Sequence, residues 1–93
     1  MAERVAMRLV VRGRVQGVGF RDAMGTAAAA HGIAGWVRNR ADGSVEAVVC
    51  GPVAAVEAML AWTRQGPRGA HVLVVETEDC DGDFDRFERR PTS

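Results

Sequence analysis

Between Val5 and Arg12 the chain alternates. Val5, Met7, Leu9 and Val11 fall on one face of an extended segment, while Arg8 and Arg12 fall on the other. A period of two is the mark of a β-strand buried on one side only. From Phe20 to His31 that period is lost. The segment is rich in alanine, the best helix former, and has no proline. Gly32 follows as a C-terminal cap. The small residues Ala23, Ala27 and Ala30 are expected to let this helix lie close to a sheet. Strand and helix are joined across Gly13 to Gly19, a loop with three glycines in seven residues.

The rest of the chain extends this pattern. Ile33 to Asn39 reads as a second strand. Asp42-Gly43 is a hairpin turn signal, and Val45 to Cys50 returns as a third strand. Gly51-Pro52 opens a second helix, with proline at the first helical position, where its missing N–H has no partner to lose. Val53, Val56, Met59, Leu60 and Thr63 form its apolar stripe. Gly66-Pro67 ends it. Ala70 to Glu76 is the fourth strand, and an acidic turn from Glu78 to Asp83 leads to a short last strand near Phe84 to Glu88. The order β-α-β-β-α-β is that of a ferredoxin-like α+β sandwich: an antiparallel sheet with two helices on one face and the other face wet. The expected organisation is one domain over residues 1–93.

Hydrophobic residues make up 47% of the chain and charged residues 26%, which excludes a disordered tail. All twelve basic residues are arginine, and the net charge is zero. Its distribution is uneven. Residues 12–40 hold five arginines against one acid, and residues 41–93 hold five against ten. A basic first half draws small anions, although arginines are also common as plain solvated surface. No apolar run approaches the length of a membrane span or of a signal peptide's core, so a cytoplasmic protein is expected. Cys50 and Cys80 have no Cys-x-x-Cys spacing and no histidine at ligand distance, and are read as free thiols.

The chemically informative stretch is Gly13-Arg14-Val15-Gln16-Gly17-Val18-Gly19-Phe20-Arg21. A strand-to-helix junction aims unpaired backbone N–H groups at one point, and the helix dipole adds positive potential there. Glycines allow the backbone to curl around an anion, and phosphate suits such a nest. Arg21, in the first helical turn, has a guanidinium able to hold two phosphate oxygens. Generic glycine motifs do not fit: Asp22 stands where G-x-G-x-x-G would close, and no Gly-Lys-Ser/Thr follows. From the residues alone, a phosphate site and a plain glycine-rich turn both remain open.

The stretch from Gly13 to Arg21 resembles the phosphate-binding signature of the acylphosphatases. Gly35-Trp36-Val37-Arg38-Asn39 with Asp42-Gly43-x-Val45-Glu46 resembles that family's second signature. Gly51-Pro52 and then Gly66-Pro67 with Ala70 and Val72 follow at family-like positions, so the resemblance runs from about Met7 to Phe87. It implies a metal-independent hydrolase without organic cofactor, acting on small acyl phosphates. Arg21 matches the catalytic arginine that binds the phosphate. Asn39 matches the asparagine that positions the attacking water. Gln16, Gly17, Val18, Gly19 and Phe20 match the loop whose amides surround the anion, where phosphate or sulfate is expected to bind. A monomer with neither nucleic-acid nor membrane partner is expected. Asp22 departs from the pattern, standing where an aromatic or small residue is usual. Its carboxylate suits a helix N-terminus, or pairs with Arg21 and weakens phosphate binding.

The remaining residues carry structural readings. Without the resemblance, Asn39 reads as a turn former. His31 and His71 lack a neighbouring carboxylate pattern. Asp79-x-Asp81-Gly82-Asp83 hints at a calcium loop, but the sixth and twelfth places hold Phe84 and Arg90, so a solvated acidic turn is expected. Trp36 and Trp62 are expected to be packing anchors, and the charged tail Arg86 to Arg90 to end in solvent. Three rival functions are a non-catalytic phosphate-binding domain, an RNA-binding sheet, and a carbamoyl-phosphate domain of a longer maturation factor. The second needs aromatics on the central strands, and neither the first nor the third strand has one. The third occurs in much longer chains, and this one is read as complete.

Overall fold

The computed structural model describes residues 3–93. Its centre is the alternating first strand, β1 (Arg4–Arg14), which pairs antiparallel with β3 (Val45–Pro52) on one side and with β4 (His71–Cys80) on the other. Between β1 and β3 the chain forms α1 (Phe20–His31) and β2 (Ala34–Asn39), the latter antiparallel to β3. After β3 comes α2 (Val53–Gln65), and after β4 a short β5 (Phe87–Arg89). The sheet order is β4-β1-β3-β2-β5.

The expected sandwich is present, with corrections. β5 runs parallel to β2, so the sheet is mixed rather than wholly antiparallel. β4 continues through Cys80, across the start of the expected acidic turn, where Glu78 lies opposite Arg8 in the β1–β4 ladder and forms an ion pair with it. β5 comprises Phe87–Arg89 rather than Phe84 to Glu88. Pro52 is the N-cap of α2, with an extended backbone, so the helix begins one residue later than expected. Gly32 caps α1 as expected, its N–H donating to the carbonyls of Ala28 and Ala29.

Both helices cover one face of the sheet. Leu9 and Val11 of β1, Val37 of β2 and Val45, Ala47 and Val49 of β3 meet Phe20, Met24, Ala27 and Ala28 of α1 and Val56 and Met59 of α2. The odd residues of β1 and β3 thus turn inward, as the alternation requires. Ala27 supplies the close approach foreseen for the alanines of α1, whereas Ala30 is exposed. Val53 is also exposed, at the edge of the α2 stripe. Trp62 packs edge-on against Phe20, with ring centroids 5.6 Å apart. No helix among the described residues is long and apolar enough to cross a membrane.

The uncovered face is polar but not bare. Glu46 is only 5% exposed. Its two carboxylate oxygens are bridged by Arg8 and Arg38, each at 2.7 Å. Trp36 lies beneath two guanidiniums, Arg38 at 4.9 Å and Arg90 at 4.7 Å from the ring centre. Long arginine stems therefore roof this face in place of a third layer. Ala6 is the cross-strand partner of both Cys50 and Cys80. The two cysteines are then two strand spacings apart, about 9.5 Å, beyond disulfide reach. Both are free.

Burial pushes the Glu46 carboxyl upward in pKa, but the hydrogen bonds and charges of Arg38 and Arg8 outweigh it and hold the group below its usual range. A depressed folded-state pKa contributes stability above the unfolded-state value that is lost as pH falls through the folded one. Glu46→Gln is expected to destabilise the protein by about 1–3 kcal/mol at neutral pH, as befits a loss of charge-assisted hydrogen bonds. It should also flatten the acid limb of stability against pH. Urea unfolding between neutral and strongly acidic pH measures both effects.

Candidate active site

β1 leaves the sheet at Arg14 and α1 begins at Phe20, and the loop between them is pinned at both ends. Val15 is 1% exposed and Phe20 is 2% exposed, both in the core. Between these anchors the backbone must reverse within four residues. Gly17 and Gly19 make this possible, each with a φ of 75°, a left-handed conformation that side chains disfavour. Gly19 is the N-cap of α1, and its carbonyl accepts the Ala23 N–H at 3.0 Å. Among the described residues, no protein acceptor pairs with the main-chain N–H groups from Gln16 to Asp22. These donors and the positive end of the helix dipole share one hollow.

Asn39 comes to that hollow from the sheet. It is the last residue of β2, paired with Val45. Two residues from the buried Val37, it lies on the helix-covered face. The turn that follows is tightly organised. Arg40 N–H donates to the Ser44 carbonyl at 2.9 Å, and Gly43 N–H to the Arg40 carbonyl at 3.1 Å. Asp42 accepts from the Ser44 hydroxyl at 2.5 Å and from the Ser44 amide at 2.9 Å. These two hydrogen bonds, with the nearby charges of Arg40 and Arg12, hold the Asp42 carboxyl at a pKa of about 2.

Gln16 joins loop and hairpin. Its side-chain Nε2 donates to the Arg40 carbonyl at 2.8 Å and to the Ser44 carbonyl at 2.9 Å. The resemblance gives this residue only an amide in the loop, and its side chain adds a brace between the two halves of the site. The signal for this was in the residue type, since a carboxamide is able to satisfy two carbonyls where an apolar side chain satisfies none.

The hollow has a volume of about 100 Å³, and its walls include Gln16, Gly17, Gly19, Phe20, Arg21 and Asn39. That is room for a tetrahedral oxyanion and a water, whose share of liquid volume is about 30 Å³. Val18 is absent from the wall, its side chain packed against the core. Asp22 and Arg89 also line the hollow. They form an ion pair, so Asp22 engages Arg89 rather than Arg21. Arg89 was not foreseen as part of the site, and the tail does not simply end in solvent. The Ser93 amide donates to the Asn39 carbonyl at 3.0 Å, and the Ala41 amide to the Ser93 carbonyl at 2.8 Å.

A larger hollow of about 490 Å³ lies at the other end of β1, bounded by Arg4, Cys50, Cys80, Asp79, Asp81 and Asp83. The carboxylates of Asp79, Asp81 and Asp83 on its wall repel anions. Among the described residues, no three His, Cys, Asp or Glu side chains gather into a metal-binding group, and the acidic stretch is no exception. The chemistry available at the smaller hollow is therefore anion binding by amides and one guanidinium, beside a neutral carboxamide.

The chain as a whole is similar to known proteins. The family model described as Acylphosphatase matches residues 7–89. An acylphosphatase of Thiobacillus denitrificans is 50% identical over 84 residues, covering 90% of this chain and 94% of the relative. One of Cupriavidus necator is 52% identical over 85 residues, covering 91% of this chain and 92% of the relative. The solved acylphosphatase of Coxiella burnetii superposes with a TM-score of 0.90 at 33% identity, covering 94% of this chain and 93% of that one. A family match across nearly the whole length, and relatives about half identical, leave one conclusion: the chain belongs to the acylphosphatase family.

Proposed function

We propose that this protein hydrolyses small acyl phosphates to a carboxylate and inorganic phosphate, with the phosphoryl group held by the loop amides of Gln16 to Phe20 and by Arg21, and the attacking water oriented by Asn39. The supporting observation is that one hollow of about 100 Å³ is bordered by this loop, by Arg21 and by Asn39 together. Membership of the acylphosphatase family makes the enzyme reading the favoured one over a non-catalytic phosphate-binding domain.

The roles follow from chemistry. A carboxylate is a good leaving group, so the protein need not supply a strong acid. Positioning and charge stabilisation then carry the reaction, as in phosphoryl transfer generally. The backbone of the loop sets the amides before the substrate arrives, and together with the Arg21 guanidinium they stabilise the equatorial oxygens of the transition state. The Asn39 carboxamide is neutral and is no strong base. It accepts one hydrogen bond from water and donates another, which aligns an oxygen lone pair with phosphorus. The water's proton passes to a phosphate oxygen of the substrate. The Gln16 brace keeps carboxamide and anion loop at a fixed separation. The substrate's small size is matched by the small hollow, and a monomeric cytoplasmic enzyme is the simplest form of this proposal.

Phosphate release from benzoyl phosphate in excess chelator tests the whole scheme, and activity is expected to survive chelation. Arg21→Ala should lose both inorganic-phosphate binding and turnover, with kcat/KM down by about 10²–10³-fold or more, as when a transition-state donor is removed. Asn39→Ala should lose turnover by about 10²-fold while phosphate still binds, because water alignment matters only to the chemical step. Intact turnover in Asn39→Ala would remove its assigned role. Gln16→Leu keeps the loop amides but cuts the brace, and kcat is expected to fall by about tenfold or more with a smaller change in phosphate affinity.

A further inference from the structure

We infer that Arg89 is a positioning residue of this site, which acts by holding the Asp22 carboxylate so that its charge does not oppose the bound phosphoryl group. The inference rests on the phosphate-binding role assigned above.

Asp22 places a negative charge in the first turn of α1, directly after the arginine that grips the anion. That position is favourable toward the helix dipole but unfavourable toward a dianion in the same hollow, whose wall Asp22 helps to form. Left alone, a solvent-exposed carboxylate beside the bound anion weakens its binding by about threefold to tenfold once screening is counted. Arg21 is the nearest basic residue in sequence, yet among the described residues it forms no ion pair. Its guanidinium stays available to the substrate.

The compensating charge is delivered by the last strand. β5 lies parallel to β2, with Arg89 opposite Val37. Cross-strand partners share a face, and Val37 is fully buried beneath the helices. Arg89 therefore leaves the sheet on the α1 side, where its Nη1 meets Asp22 Oδ1. The strand is fixed beyond this point, since Arg90 N–H donates to the Val37 carbonyl at 2.8 Å and Ser93 N–H to the Asn39 carbonyl at 3.0 Å. Arg89 is thus held at the hollow by main-chain pairing and spent on Asp22, 67 positions away. The site gains a neutral pair in place of a bare carboxylate.

The test compares Arg89→Gln, Asp22→Asn and the double variant, with Arg89→Lys as the charge-preserving control. Inorganic phosphate binding is measured by calorimetry, and kcat and KM with benzoyl phosphate. Arg89→Gln is expected to raise the phosphate Kd and the KM by about threefold to tenfold, with the change falling on these rather than on kcat. The loss should shrink in high salt, because exposed charges are screened. Asp22→Asn, which frees Arg89, should tighten phosphate. The double variant should return to within about twofold of the wild type, the non-additivity that marks a coupled pair. Arg89→Lys should bind nearly as well as the wild type. If the double variant binds as weakly as Arg89→Gln, Arg89 serves the anion or the fold directly, and the inference is overturned. It is equally overturned if Arg89→Gln leaves the Kd unchanged. Phosphate binding is read without turnover, so a wild-type protein inactive on benzoyl phosphate would sink the functional assignment while leaving this coupling intact.

Discussion

Seven consecutive main-chain amides, from Gln16 to Asp22, leave a sheet and enter a helix without an acceptor among the described residues, and the candidate site is built around that shortfall. A buried strand and a buried helix usually satisfy their polar groups internally. Here the junction does not, because Val15 and Phe20 fix its ends in the core and the intervening turn is too short to close its own hydrogen bonds. A fold that tolerates such a row of donors is predisposed to hold an anion. In the proposed mechanism one guanidinium and one carboxamide turn holding into chemistry.

What the sequence disclosed follows from how local each feature is. The loop, Arg21 and the end of β2 are contiguous motifs whose residue types state their backbone demands, so their meeting at one hollow was legible in advance. Arg89 was not. It reaches the hollow through a three-residue strand in parallel pairing with β2, too short to show alternation and dictated by a partner some fifty residues earlier. The extension of β4 was hidden for a related reason. Acidic residues are poor strand formers in isolation, and Glu78 lies in the ladder opposite Arg8, which pairs with its charge. Ala30, expected against the sheet alongside Ala23 and Ala27, shows the limit of small size as a guide, since it is exposed although nothing in its side chain differs.

The uncovered face of the sheet bears on the rival readings. An RNA-binding sheet offers aromatic rings to stack bases. The one aromatic on this face, Trp36, is covered by Arg38 and Arg90 and is only 9% exposed. Beside it, Glu46 draws Arg8 and Arg38 into a closed charge network. Arginines that looked free to attract a polyanion are in fact committed to roofing the sheet. The evenly balanced formal charge is thus spent largely within the fold.

Loop, hairpin end and terminal strand contribute to one hollow although they are far apart along the chain, and this has a thermodynamic corollary. An unfolded polypeptide does not bring these segments together, so an oxyanion held by the proposed site binds the folded form alone. Ligand and fold are then linked by mass action, and a hundredfold excess over the dissociation constant adds about 2.7 kcal/mol to the conformational stability. For so small a domain that is a large share of the total. In the proposed reaction the product is itself such an oxyanion, so turnover would leave behind a species that protects the catalyst from unfolding.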